Sequence, residues 1–116
     1  MASFVTDDFF LVSHMMDGLI TGRLTGTPEH RSDRNRRPFM VARVRSEASD
    51  GTSIPVNVVA FDAQACEVLR NLIEGDAVAL RGSFTPKVWI DRQEQPHPVL
   101  DVVAHQVMAT PEFQDR

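Results

Sequence analysis

Residues 52–84 read TSIPVNVVAFDAQACEVLRNLIEGDAVALRGSF, and their hydrophobic period changes twice. The apolar residues alternate as in a β-strand over 52–61, take up helical spacing, and return to a strand pattern over 77–84. The helical positions are Ala65, Cys66, Leu69, Leu72 and Ile73. Asp62 stands where a helix N-cap is expected, and Gly75 is the candidate C-cap. The segment therefore predicts a strand, a helix and a second strand.

The flanking sequence supplies the remaining elements. They are a strand over 18–26, a loop over 27–38, a strand over 38–46, a hairpin connection over 47–51, a Pro- and charge-rich hairpin over 86–98, and a strand over 99–108. The order of three strands, one helix and two strands is that of the OB-fold. Gly22 and Gly82 lie within strands, as expected where a small barrel needs bulges or tight bends. We therefore predict an all-β fold with one helix, an OB-fold five-stranded Greek-key barrel.

The length of 116 residues is that of one domain, which we place at 18–108. Residues 1–17 are expected to form a short amphipathic helix or an ordered arm, with Thr6 as its N-cap. The arm could pack on the protein's own core or on a partner. Residues 109–116 are expected to form a short C-terminal tail.

Composition and motifs limit the function classes. Cys66 is the only cysteine, no apolar run is long enough to span a bilayer, and the N-terminus lacks a basic signal region. We therefore expect a cytoplasmic protein without membrane contact. The sequence contains no GxxxxGK, CxxC or HExxH motif, and its four histidines lack metal-ligand spacing. We therefore expect no enzymatic activity, no metal and no cofactor.

Positive charge is concentrated in one region although the net charge is −4. Residues 23–45 contain seven arginines and only two acidic residues. Lys87 is the only lysine among the 12 basic residues. Arginine suits planar, bidentate contacts with phosphate, although a GC-rich genome would produce the same bias. The charge distribution is compatible with an anionic partner.

Several segments together resemble the bacterial single-stranded-DNA-binding protein family. Residues 18–31, GLITGRLTGTPEHR, are similar to its first strand and loop, which carry a Gly-Arg/Asn-Leu core and an Asp-Pro-Glu-x-Arg run. The other matching segments are VAR at 41–43, VVAF at 58–61, EGDAVALRG at 74–82 and LDVVA at 100–104. The chain ends without the family's Gly/Gln/Pro-rich linker and acidic tip, and in this it is similar to the related primosomal replication protein.

The resemblance implies a surface that binds single-stranded DNA. Phe61 and Trp89 match positions where the family stacks bases, whereas Pro55 and the segment 47–50 replace two further aromatics. Phe39 and Phe84 could substitute in part, and Phe61 and Phe39 could instead be core residues. The expected phosphate-binding residues are Arg23, Arg31, Arg34, Arg36, Arg37, Arg43, Arg45, Arg81 and Lys87.

The function that follows is binding of single-stranded DNA without sequence specificity, in replication, repair or recombination. The resemblance also implies a homo-oligomer, either a dimer or a tetramer, and replication or recombination proteins as partners. The alternative is an OB-fold protein-interaction module with little or no DNA affinity, which the acidic net charge, the two missing aromatics and the extra apolar N-terminal arm favour.

Overall fold

The computed structural model describes residues 16–109, so most of the predicted N-terminal arm and C-terminal tail lies outside the described residues. The described elements are β1 (Met16–Leu24), β2 (Glu29–Ser32), β3 (Pro38–Glu47), β4 (Ser53–Ala60), α1 (Ala63–Arg70), β5 (Ala77–Ile90) and β6 (Pro96–Met108). None of the helices in this part of the chain is long and apolar enough to cross a membrane.

Five of the strands form a closed sheet in the order β1-β5-β6-β4-β3, and β1 pairs with β3 to close it. Arg23 lies opposite Arg45 at this closure. β4 and β6 run parallel, and the other pairs are antiparallel. β2 pairs with the outer edge of β3 and lies outside the closed ring. The predicted OB-fold barrel is confirmed.

Alternation along the strands fills the interior. Met40, Ala42 and Val44 of β3 are buried, whereas Arg43 and Arg45, at the alternate positions, are exposed. α1 contributes Ala65, Cys66 and Leu69 to the same core and packs against β3 and β6. Because outward and inward positions alternate with period two, each strand also presents a continuous outer row.

Two glycines allow neighbouring strands to approach closely. A Cβ atom at Gly82 would lie 2.0 Å from the carbonyl oxygen of Val103, and one at Gly22 would lie 2.5 Å from that of Arg45. The ladder between β5 and β6 shifts register between Arg81 and Gly82. The predicted bulge or bend at glycine therefore falls at Gly82, whereas Gly22 serves the closure of the barrel.

Three predicted boundaries were wrong. The segment 27–38 is not only a loop, because it contains β2. The segment 86–98 is mostly strand, since β5 continues to Ile90 and β6 begins at Pro96. α1 ends at Arg70 with Asn71 as its C-cap. Gly75 takes a positive φ of 94° in a later turn, so glycine marks that turn and not the helix end.

Candidate nucleic-acid-binding surface

An open groove of about 870 Å3 crosses the outer face of the barrel, and we call it the outer groove. β2, β3, β4, β6 and β5 supply most of its lining. The groove residues used below are Arg31, Val41, Arg43, Asn57, Val59, Lys87, Asp101 and Val103, with Glu29 at the side. The strand registers arrange these residues in rows across the sheet.

An aromatic pair lies beside the outer groove. The rings of Phe39 and Phe61 have centroids 5.5 Å apart and an interplanar angle of 38°. Phe61 is 57% exposed, so its interpretation as a core residue was wrong. Phe39 is half-buried on the outer face, and Arg31 of β2 lies opposite it in the register. This end of the groove therefore combines exposed aromatic surface with a guanidinium group.

The floor next to this pair is apolar. Val41 pairs with Val59, and Val59 pairs with Val103, so three strands contribute one valine each. All three valines are half-buried on the outer face. The π-face of a nucleobase can lie over such a surface without losing hydrogen bonds, because that face carries no hydrogen-bonding group.

A polar row follows the valines. Arg43 lies opposite Asn57, Asn57 opposite Asp101, and Asp101 opposite Thr85. Asn57 Nδ2 donates to Asp101 Oδ1 at 3.2 Å, and Lys87 Nζ lies 3.0 Å from Asp101 Oδ2. The hydrogen bond from Lys87, assisted by that from Asn57, lowers the pKa of Asp101 from its ordinary value. The carboxylate is therefore charged at neutral pH.

Trp89 lies two residues beyond Lys87 on the same strand and therefore on the same face. Its ring stacks on His97 with a centroid distance of 4.6 Å and an interplanar angle of 21°. Half of the Trp89 residue is exposed, at 50%. Since His97 covers one indole face, the other is the face that remains to receive a base.

A turn holds this stack in place. His97 Nε2 lies 2.7 Å from Asp91 Oδ2, while Asp91 Oδ1 accepts the backbone N–H groups of Gln93 and Gln95. The hydrogen bond with His97 is the main cause that lowers the pKa of Asp91, and the turn N–H groups act in the same direction. The tip of the β5–β6 hairpin thereby fixes His97, and His97 orients Trp89.

The turn between β2 and β3 has the same construction. Asp33 Oδ1 accepts the N–H groups of Asn35 and Arg37, as Asp91 does in the other hairpin. Arg36 takes a φ of 63°, in the left-handed region that favours glycine. Arg34, Arg36 and Arg37 are exposed and project from this hairpin tip. They extend the positive charge beyond Arg31 at the groove.

The other predicted phosphate-binding residues, Arg23, Arg45 and Arg81, differ in their position relative to the outer groove. Arg45 follows Arg43 on the outer row of β3. Arg23 lies opposite Arg45, and its guanidinium donates to the carbonyl of Gly75 at 3.1 Å. Arg81 donates to Gln106 at 3.3 Å, and it lies six residues from Lys87 on β5, about 20 Å away at the usual strand rise. The structure therefore brings Arg31, Arg43 and Lys87 together and leaves Arg81 apart.

A row of Ser, His and Asp side chains also lies on the outer face. Ser83 Oγ is 3.3 Å from His105 Nε2, and His105 Nδ1 is 3.8 Å from Asp62 Oδ2. The Ser83 hydroxyl donates to Asp17 at 3.2 Å. Its hydrogen is thus not directed at His105, and the His105–Asp62 distance is too long for a hydrogen bond. The row does not have the geometry of an activated nucleophile.

Some groove residues were missed from the sequence. Phe39 was considered only as a partial substitute or a core residue, and Asn57, Asp101 and the three valines were not considered as groove residues. The sequence contained a partial signal for these residues, because each occupies an outward position in a strand with alternating burial. Phe84, the other suggested substitute, packs against the core and does not reach the groove.

Comparisons with known proteins agree with this architecture. A small single-stranded DNA-binding protein from Streptomyces coelicolor matches with a TM-score of 0.66 and 20% identity, over 83% of this chain and 94% of that chain. A mitochondrial single-stranded DNA-binding protein from S. cerevisiae matches with a TM-score of 0.61 and 14% identity, over 82% of this chain and 94% of that chain. No curated protein sequence matches. The model of the single-strand binding protein family matches residues 15–110, and the chain therefore belongs to that family.

Proposed function

We propose that this protein binds single-stranded DNA along the outer groove, in DNA replication, repair or recombination. The observation that carries the proposal is that exposed aromatic side chains lie beside a groove lined by cationic ones, in a chain of the single-strand binding protein family. Phe61 and Trp89 stack bases, with Phe39 supporting Phe61, and Arg31, Arg43 and Lys87 hold phosphates. These contacts are available to every base, because each base has a π-face and each nucleotide a phosphate.

The acidic net charge does not oppose this proposal. At physiological salt, charges separated by more than about 8 Å are largely screened from each other. A phosphate in the groove therefore experiences mainly the charges beside it, in which three cations outnumber the two carboxylates of Glu29 and Asp101. Arg34, Arg36 and Arg37 at the hairpin tip supply a further cluster for a strand that leaves the groove past Arg31.

The alternative function, a protein-interaction module without DNA affinity, is not favoured. One of the grounds that suggested it was the loss of aromatics at two expected positions. Phe39 compensates in part, because its ring contacts the exposed ring of Phe61 on the same face as the cations. Protein interfaces are also rich in aromatic residues and arginine, so it is membership of the single-strand binding protein family that argues against this alternative.

The proposal includes a homo-oligomer. One OB-fold contacts only about 4–16 nucleotides of a single strand. An oligomer presents several grooves to one long strand and therefore binds it with higher avidity, although each copy of the protein makes the same contacts. Light scattering coupled to size-exclusion chromatography measures the number of copies, and a dimer or tetramer is expected.

Further parts of the proposal are a cytoplasmic location, action by binding without catalysis, and contacts with replication or recombination proteins. The buried free thiol of Cys66 is compatible with a reducing compartment. Affinity capture under conditions that remove nucleic acid tests for protein partners, with replication or recombination proteins expected.

The direct test of the proposed function is fluorescence anisotropy of labelled oligo-dT, with a duplex of equal length as the comparison. The account predicts tighter binding to the single strand, because the stacking surfaces require unpaired bases. Equal binding to both, or binding to neither, would show that the groove does not perform this function.

A further inference from the structure

Asp101 is an unexpected residue in a groove that binds a polyanion. Its charge repels phosphate, and it lies in the middle of the polar row, between Asn57 on β4 and Thr85 on β5. Its side chain is 35% exposed and is held by two contacts, from Asn57 and from Lys87. A carboxylate held in this way has a fixed orientation toward whatever lies over the groove floor.

The centre of the polar row, formed by Asn57 and Asp101, presents hydrogen-bond acceptors between the donor groups of Arg43 and Lys87. Each carboxylate oxygen of Asp101 engages one donor, and each retains a further lone pair. The Asn57 amide group donates to Asp101, which leaves its carbonyl oxygen as an acceptor. Lys87 has a flexible stem and can turn its ammonium group toward a phosphate, while the hydrogen bond from Asn57 continues to orient Asp101. The floor then offers acceptors from Asp101 and Asn57 next to each other.

We propose that Asp101 and Asn57 select bases that carry an exocyclic amino group, with cytosine preferred over thymine. The inference rests on the proposed function and adds a base preference to it. Cytosine presents an N4 amino donor, for which an aspartate is a suitable acceptor, whereas thymine presents a carbonyl oxygen at the corresponding position. A thymine carbonyl placed over Asp101 itself faces the carboxylate without a hydrogen between them. Stacking on Phe61 and Trp89 does not make this distinction.

The experiment compares oligo-dC and oligo-dT of about 20 nucleotides, a length that spans the site of one OB-fold. Dissociation constants are measured at neutral pH for the unmodified protein, Asp101→Asn and Glu29→Gln. Glu29→Gln is the matched control, because it removes the same charge from the side of the groove, where Glu29 pairs with Arg31 at 3.1 Å. Both substitutions are nearly isosteric, and thermal unfolding verifies that each variant is folded.

The unmodified protein is expected to bind oligo-dC more tightly than oligo-dT. Asp101→Asn should lower this preference by about fivefold or more, the lower end of discrimination by good base contacts. Glu29→Gln should strengthen binding to both strands equally and leave the preference unchanged. Asn57→Ala, as a second variant, should lower the preference in the same direction as Asp101→Asn.

Two failures are distinguishable. If the unmodified protein binds neither strand, the proposed function is wrong. If it binds both strands and Asp101→Asn changes the two affinities by the same factor, DNA binding stands and the base preference is refuted.

Discussion

Replacing Trp89 by alanine tests the stacking contribution of the β5–β6 hairpin. One face of the indole is covered by His97 at a centroid distance of 4.6 Å, so one base at most can stack on Trp89. The loss should therefore equal a single stacking contact, about 1–3 kcal/mol. This corresponds to an increase in the dissociation constant of about 5- to 150-fold at 25 °C.

The assay benefits from the composition of the chain. Trp89 is the only tryptophan in the sequence, so intrinsic emission reports on this site alone. Titration with oligo-dT should quench the emission of the unmodified protein as a base covers the free indole face. Anisotropy of a labelled oligonucleotide then gives the dissociation constants of Trp89→Ala and of Trp89→Phe, which should retain part of the affinity.

Val88→Ala is the matched control. Val88 is the neighbouring residue, it is 63% exposed, and its side chain points to the opposite face of the strand. Its replacement should leave DNA affinity unchanged. If Trp89→Ala binds oligo-dT as tightly as the unmodified protein, with the same unfolding temperature and oligomeric state, Trp89 does not stack a base and the groove does not extend to this hairpin.

Three further predictions concern the framework of the site, and unfolding should be followed at one fixed protein concentration. Arg36→Gly should raise the free energy of unfolding by about 0.5–1 kcal/mol, because φ is 63° at this position. Arg34→Gly removes the same charge at a position without a positive φ, and it should lower the free energy of unfolding. Equal effects of the two substitutions would refute the role of the backbone. Gly82→Ala should destabilise the protein by more than about 3 kcal/mol, because the added Cβ would lie 2.0 Å from the carbonyl oxygen of Val103 on β6. An unfolding temperature close to that of the unmodified protein would contradict this close approach. The hydrogen bond with His97 lowers the folded-state pKa of Asp91, so its stabilising effect is present above the ordinary value of 3.8 and disappears as the pH falls through the lowered value. Asp91→Asn should accordingly unfold at a lower temperature than the unmodified protein at neutral pH, with the difference shrinking below pH 3.8, and a difference independent of pH would exclude the ionised carboxylate as its cause.

The barrel could be predicted from the sequence because its strands have one buried and one exposed face. Alternation in β3 and the change of period around α1 both reflect this asymmetry. β2 gave no such signal, since all four of its residues are exposed. The outer half of β5 gave no such signal either, because it is exposed on both faces. Residues 86–90 were therefore assigned to the Pro- and charge-rich hairpin and not to the preceding strand.

The site was less predictable because it depends on register between distant segments. Lys87 meets Asp101 only through the pairing of β5 with β6, and Phe39 meets Phe61 only through that of β3 with β4. Arg81 shows the converse case. It lies close to Lys87 in sequence, but an extended strand separates the two by about 20 Å.

The salt dependence of binding to oligo-dT tests the central claim most directly. For single strands, log K falls against log salt with a slope of about −0.7 for each phosphate neutralised. Arg31, Arg43 and Lys87 line the groove and Arg45 lies next to it, so three to four neutralised phosphates predict a slope between about −2 and −3. Absence of binding at low salt, or an affinity that does not change with salt, would contradict the assignment of this surface to single-stranded DNA.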